Sequence, residues 1–175
     1  LAVLRRWRDM DPVTRKLLCH WHLQLSDPLY RAFTATFLDD SRGPVHHDAV
    51  VRWLQDGPGQ RWRPATVSRF AAQLVSCARA AGMLQGTRGP AKLHYPSVPD
   101  VALAYLLHRL RDVRIQGTID RNPYLASVGL TGAFLDQRLR RLGNDQAVAA
   151  GGHHHGVQHH VPDAVATDCI RHHAH

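Results

Sequence analysis

The chain has 175 residues, of which 44% are hydrophobic, so it is long and apolar enough for one domain or two small ones. Lys and Arg outnumber the acidic residues by 22 to 14, and a pI near 10.2 is typical of proteins with a polyanionic partner. The sequence has no run of 18 apolar residues and no signal-peptide pattern. It therefore predicts no membrane span and favours a cytoplasmic protein.

The positive charge is concentrated before residue 143. Residues 1–142 hold 21 basic and 11 acidic residues, a balance of +10, and the whole chain contains no Glu and only two Lys. Arginine suits a phosphate or base partner because its planar guanidinium binds two acceptors at once. A GC-rich genome would also raise the arginine content, but it would not explain the net charge.

The N-terminal part, residues 1–45, is predicted to be helical. Asp11-Pro12 and Asp27-Pro28 each combine an N-cap residue with a proline suited to the first helical position. Residues 39–44 have the composition of a loop, and this loop includes Asp39 and Asp40. The first helix is expected to bury Val13, Leu17, Leu18, Trp21 and Leu25.

Residues 46–98 have the element order of a winged helix-turn-helix. A short helix at about 46–55 is followed by glycines and a proline, and then by a second helix at about 65–81. Gly82 is the expected left-handed cap, and a hairpin then forms around a basic, glycine-rich tip. The apolar side of the second helix recurs at helical spacing and comprises Val67, Phe70, Ala71, Leu74, Val75, Ala78 and Ala81.

The polar side of that second helix suits a DNA major groove, because Arg69 and Gln73 can pair with guanine and adenine. Basic residues before the helix and on the hairpin suit phosphates. The alternative is the solvated face of an ordinary amphipathic helix, which needs the same residue types. Trp62, between two arginines, is expected to be a core residue. The candidate DNA-binding residues are Arg61, Arg63, Thr66, Ser68, Arg69, Gln73, Arg88 and Lys92.

Two regions follow the hairpin. Residues 99–142 are predicted to form C-terminal helices, with Asp100 as the N-cap of the first and Asn122-Pro123 starting a single turn. Residues 143–175 hold eight of the 14 His and show no helical or strand period. They are predicted to be a disordered tail.

No motif for catalysis or metal binding stands out. The sequence lacks a P-loop, a GxSxG elbow and an HExxH pair, so no enzyme activity, catalytic residue or cofactor is predicted. His46, His47 and Asp48 lie together at a helix start, but no second pair of ligands has zinc-site spacing, so no metal site is predicted. Cys19 and Cys77, which have no CxxC spacing, are expected to be buried free thiols in a reducing compartment.

Three segments resemble the BrxA family of the BREX anti-phage defence systems. They are DPVTRKLLCHWHLQLSDPLYRAF at 11–33, WRPATVSRFAAQLVSCARAAGML at 62–84 and NPYLASVGLTGAFLDQRLRRL at 122–142. The resemblance implies a small, mostly helical DNA-binding protein with helix-turn-helix-like parts, no catalytic residues and no cofactor. The chain is expected to depart from the family pattern at both ends, in its N-terminal helices and in its His-rich tail.

Together these observations predict a mainly α-helical protein with an embedded winged helix-turn-helix and a small two-strand hairpin. The expected function is non-catalytic binding of double-stranded DNA, and other BREX proteins are possible partners by resemblance. Two other classes of function remain open: a protein-interaction module, in which the same helix and hairpin contact another component, and an RNA-binding helical domain. A nuclease is the weakest alternative, because the chain contains no Glu.

Overall fold

A computed structural model describes residues 7–38, 43–86, 89–111, 113, 118–119 and 122–151, the last seven by their backbone alone. The described residues form seven α-helices and one two-stranded antiparallel hairpin, so the predicted mainly helical class with a small hairpin is confirmed. A 3-10 turn, Trp7–Asp9, comes first. The helices are α1 Pro12–Ser26, α2 Pro28–Phe37, α3 His47–Asp56, α4 Pro64–Ala80, α5 Asp100–Leu110, α6 Pro123–Ala126 and α7 Gly132–Gly151, and the strands are β1 Leu84–Gln85 and β2 Lys92–Leu93.

Short polar side chains start three of these helices, as the sequence predicts. The Asp11 carboxylate accepts a hydrogen bond from the Thr14 amide at 2.9 Å. Asp27 accepts from two amides at the start of α2, at 2.8 and 3.2 Å, and the Asn122 side chain accepts from the Tyr124 amide at 2.9 Å. Each bond satisfies an N–H group that has no partner within its helix. A proline follows each cap at the first helical position.

The prediction that Asp100 caps α5 is wrong by one residue. Pro99 occupies the N-cap position, and Asp100 is the first residue of the helix. Its carboxylate instead accepts from the Arg138 guanidinium at 2.5 Å and lies 3.5 Å from that of Arg141, so it joins α5 to α7. The side chain that the local sequence predicts to be a helix cap therefore forms a long-range ion pair instead.

Two predicted buried positions on α1 are exposed. Val13 is 40% exposed because it lies in the first turn, ahead of the fully buried Leu17 and Leu18. Cys19 is an exposed free thiol, since it lies one turn from Lys16 on the solvent side of the helix. Cys77 is a half-buried free thiol.

A buried polar network joins α1, α2 and α6. The two ring nitrogens of His20 lie 2.9 Å from the Tyr30 hydroxyl and 3.0 Å from the Ser127 hydroxyl. The Ser127 hydroxyl donates to the carbonyl of Tyr124 at 3.0 Å and so accepts from His20 Nε2–H. His20 Nδ1 then accepts from Tyr30, and the ring is neutral. Burial lowers the pKa of His20 to about 3, in keeping with this arrangement.

Among the described glycines, Gly129 should be the most sensitive to alanine. Its φ is +77°, and a Cβ there would lie 2.7 Å from two ring atoms of Tyr95, whose hydroxyl donates to the Leu38 carbonyl. We expect Gly129→Ala to lower the free energy of unfolding by roughly 2–4 kcal/mol, because backbone strain and overpacking add. The control is Gly82→Ala, which has a φ of +84° but open space, and should cost roughly 1–2 kcal/mol. Equal losses in urea denaturation would contradict the steric part of the prediction.

The end of the chain differs in part from the sequence prediction. Helix α7 continues to Gly151, past the boundary at residue 142 where the tail was expected to begin. The alanines between 147 and 150 favour helix, which is the physical reason for the extension. Arg88, the Asp39-Asp40 pair and the rest of the tail, residues 152–175, lie outside the described residues.

Candidate nucleic-acid interface

A tight turn connects α3 to α4 and sets the direction in which α4 begins. The Gly59 amide donates to the Leu54 carbonyl at 2.7 Å, and the Trp62 amide donates to the Gly59 carbonyl at 2.9 Å. A Cβ on Gly59 would lie 2.9 Å from Trp62 Cε3 and 3.0 Å from the Leu54 carbonyl oxygen. Only glycine allows this approach without a shift of the turn.

The start of α4 has amides that no side chain caps. Arg63 is the N-cap residue and makes no side-chain capping bond, and Pro64 is the first helical residue. Pro64 has no N–H, and the Thr66 and Val67 amides donate to the Arg63 carbonyl at 2.8 and 3.0 Å, so the Ala65 amide and the helix dipole are what favour an anion here. Arg61 and Arg63 therefore flank a helix end whose own polarity is positive.

The end of α4 leads directly into the hairpin. Gly82 has a φ of +84°, and its amide and that of Met83 donate to the carbonyls of Arg79 and Ala78, both at 2.9 Å. This is the left-handed glycine cap that the sequence predicts. In the hairpin, Leu84 pairs with Leu93 and Gln85 with Lys92.

A third segment pairs with the hairpin. Val45, just before α3, forms an isolated bridge with Ala91 through two hydrogen bonds of 2.7 and 2.9 Å. The segment before α3 is thereby attached to the strand side of the hairpin. The hairpin is therefore joined to the end of α4 through Gly82 and to the segment before α3 through the Val45 bridge.

The periodicity of α4 is confirmed. Five of the predicted apolar positions within the helix are buried, and Phe70 is half-buried. Ala81, which directly follows the helix, is buried as well. The solvent-facing side carries small residues as well as the predicted polar ones. Few of its side chains therefore project far from the helix. The exposed residues of α4 are Pro64, Ala65, Ser68, Arg69, Ala72, Gln73, Ser76 and Ala80.

The predicted DNA-binding residues lie at the start and on the outer side of α4 and on the hairpin. Thr66 is half-buried, at the edge of the exposed face, and Arg88 is outside the described residues. The remaining six are exposed: Arg61, Arg63, Ser68, Arg69, Gln73 and Lys92.

The charge of this region is one-sided. The segment 57–99, called here the acid-free segment, contains six basic residues and no Asp or Glu. Within the part of the chain that the structure describes, no carboxylate lies at ion-pair distance from Arg61, Arg63, Arg69 or Lys92. Their charge is therefore left available for an external anion.

One feature of the interface is not predicted by the sequence: a stack of three side chains, those of Trp62, Phe70 and Arg69. The rings of Trp62 and Phe70 have centroids 4.8 Å apart, and the guanidinium carbon of Arg69 lies over the Phe70 ring, 5.8 Å from its centroid. Trp62 precedes α4 and Phe70 lies within it, so no helical spacing relates the two. Both rings also pack against the core, which confirms the expected core position of Trp62 in part.

The described residues offer neither a metal site nor a membrane span. No group of three or more His, Cys, Asp or Glu side chains there is arranged to hold a metal ion, and His46 makes no side-chain capping bond at the start of α3. None of the described helices combines the length and the apolarity that crossing a membrane requires.

Comparisons with known proteins add no identification. No family model, no curated protein and no solved structure matches this chain.

Proposed function

We propose that the chain is a non-catalytic protein that binds double-stranded DNA. Helices α3 and α4, the hairpin and the Val45 bridge would act as a winged helix-turn-helix, with α4 as its recognition helix. The observation that carries the proposal is the acid-free segment: its exposed cations are the kind of groups that DNA phosphates attract, and no described carboxylate neutralises them.

In this proposal the exposed face of α4 enters the major groove. Its small residues, such as Ala65, Ala72 and Ser76, let the helix approach the bases closely. Arg69 and Gln73 are long enough to reach base edges from that position, and Thr66 lies at the border of the contact.

The phosphates would be held on either side of the recognition helix. Arg61 and Arg63 contact the backbone near the uncapped start of α4, where the helix dipole adds to their charge. Lys92, on the exposed side of β2, contacts a neighbouring stretch of backbone, as the wing of such a unit does. These contacts would carry affinity, and the α4 side chains would carry sequence preference.

The biological setting in BREX phage defence comes from the sequence resemblance alone. It would place the protein in the cytoplasm, together with other BREX proteins. An RNA ligand and a protein partner remain the alternatives, and the DNA proposal makes a prediction that separates it from both.

The test is a titration of the full chain against labelled duplex DNA over a range of salt concentrations. Three phosphate contacts predict a slope of about −2.7 in log affinity against log salt, or an affinity loss of about 40-fold between roughly 50 and 200 mM salt. An RNA duplex of the same sequence should compete poorly, because the deep, narrow major groove of A-form RNA does not admit a helix.

Three results of this titration would count against the proposal. An affinity for duplex DNA that does not change with salt would rule out the proposed phosphate contacts. Equal competition by the RNA duplex would favour the RNA-binding alternative, and a chain that binds neither nucleic acid would favour a protein partner.

A further inference from the structure

Arg69 is held differently from the other cations of the acid-free segment. Its guanidinium lies over the face of the Phe70 ring, 5.8 Å from the ring centroid. Among the described residues this is the one cation–π contact. An exposed arginine ordinarily samples many rotamers, so attraction to an aromatic face restricts the positions that Arg69 occupies.

The Phe70 ring is in turn held in place by a second aromatic ring, that of Trp62. The Trp62 ring lies 4.8 Å away, centroid to centroid, at an angle of 37°. Trp62 in turn packs over Gly59, where even a methyl group would come within 2.9 Å of the indole. A continuous series of contacts therefore runs from the α3–α4 turn through two aromatic rings to the guanidinium.

This arrangement leaves Arg69 able to bind. A cation–π contact engages the ring face, whereas hydrogen bonding to a base uses the N–H groups at the edge of the guanidinium. Guanine presents two acceptors, O6 and N7, side by side in the major groove, and the arginine fork matches this pair. A lysine ammonium cannot make the same planar, paired contact.

We propose that Phe70 and Trp62 are positioning residues that hold Arg69 ready to read a guanine, so that this stack determines the sequence preference of the protein. The inference rests on the proposed DNA-binding function. Within the described part of the chain, Arg61, Arg63 and Lys92 have no such contact with an aromatic ring. They serve as phosphate contacts that do not depend on sequence.

The experiment selects bound duplexes from a pool with randomised sequence and compares the enriched positions among variants. The wild-type chain should enrich guanine at one position at least. Arg69→Lys keeps the charge but loses the planar fork, while its ammonium can still donate to O6 or N7, so the preference for guanine should fall by about three- to tenfold, less than the whole of what one paired contact supplies. Phe70→Leu keeps an apolar side chain but loses the ring, and the preference should fall by about two- to tenfold.

Two further measurements separate positioning from general damage to the fold. Phe70→Tyr retains a ring and should retain the guanine preference. The salt dependence of binding should be the same in wild type, Arg69→Lys and Phe70→Leu, because all three have the same charge, whereas a distorted fold would weaken binding to every sequence alike. If thermal unfolding shows that Phe70→Leu does not fold, Phe70→Met, which also lacks the ring, replaces it.

The possible outcomes are distinct. A Phe70→Leu protein with the guanine preference of wild type would overturn the inference, and so would a wild-type protein that binds duplexes without preferring guanine anywhere. Both results would leave the DNA-binding proposal standing. A wild-type protein that retains no duplex from the pool would overturn the proposal and the inference together.

Discussion

Replacing Arg61, Arg63 and Lys92 together with alanine should nearly abolish binding to duplex DNA at moderate salt. Each residue is exposed and has no described carboxylate near it, so each can displace a counterion from a phosphate. Loss of three phosphate contacts should reduce the salt slope by about 2.7, which corresponds to roughly a 500-fold loss of affinity at about 0.1 M salt. Fluorescence anisotropy over a salt series measures both quantities.

The matched control removes the same charge from other elements. Arg109, Arg111 and Arg140 are also exposed, on or beside α5 and α7, and the triple alanine variant at these positions has the same net charge as the first. If position matters, the control should lose little affinity. Equal losses in the two variants would show that binding depends on net charge alone, and α4 would no longer define the interface.

This comparison also tests whether a GC-rich genome is enough to explain the arginine content. A GC-rich genome would supply arginine throughout the chain, and exposed arginines outside the acid-free segment have the same side chain. The two sets of residues differ in their surroundings. Arg61, Arg63 and Lys92 lie in a segment without acidic residues, and the two arginines lie beside the start of α4. The experiment therefore asks whether that difference has a function.

Much of the fold could be predicted because its signals are local. The pairs Asp11-Pro12 and Asp27-Pro28 start helices through bonds that span two or three residues, and Gly82 ends α4 through its own left-handed backbone. The buried face of α4 likewise depends on spacing within one helix. Physical rules of this range can be applied to a sequence directly.

Two of the features that were missed depend on residues far apart in the chain. His20 and Ser127 are 107 positions apart, and Asp100 meets Arg138 across 38. Each of these side chains has an ordinary local explanation as well, such as a helix cap or an exposed polar residue. Their partners become visible once the helices are packed, so sequence alone could not assign them.

The candidate site shows the same division. Periodicity correctly places Arg69 and Gln73 on the exposed face of α4. It does not predict that Phe70 supports the Arg69 guanidinium, because the position of Phe70 is determined by Trp62 and hence by the turn at Gly59. Local periodicity is enough to predict which residues of α4 are exposed. The contacts among those side chains depend on how the chain packs.

The buried His20 should make the stability of the protein fall in acid. The imidazole in the unfolded chain has a pKa near 6.5, and burial lowers the pKa in the folded protein to about 3. Between these values the unfolded state binds the additional proton. Stability from this group is thus complete above pH 6.5 and is lost as the pH falls towards 3, at about 1.4 kcal/mol per pH unit.

His20→Gln isolates that contribution. The amide has a donor and an acceptor for Tyr30 and Ser127 but does not titrate, so the variant should be less stable at neutral pH and less sensitive to acid. Between pH 6.5 and roughly pH 4.5 wild type should lose about 2 kcal/mol more than the variant, because the imidazole of the unfolded chain is already half protonated at the upper limit. Urea denaturation at a series of pH values gives the free energy of unfolding for both proteins.

The difference between the two curves belongs to His20 because the other groups are common to both proteins. His22, whose pKa is also lowered, first by burial and then by the charge of Arg109, contributes equally to each. Two parallel curves would mean that the folded protein accepts a proton on His20, and therefore that the network with Tyr30 and Ser127 opens without unfolding. Converging curves would show that α1, α2 and α6 stay joined only while the ring is neutral.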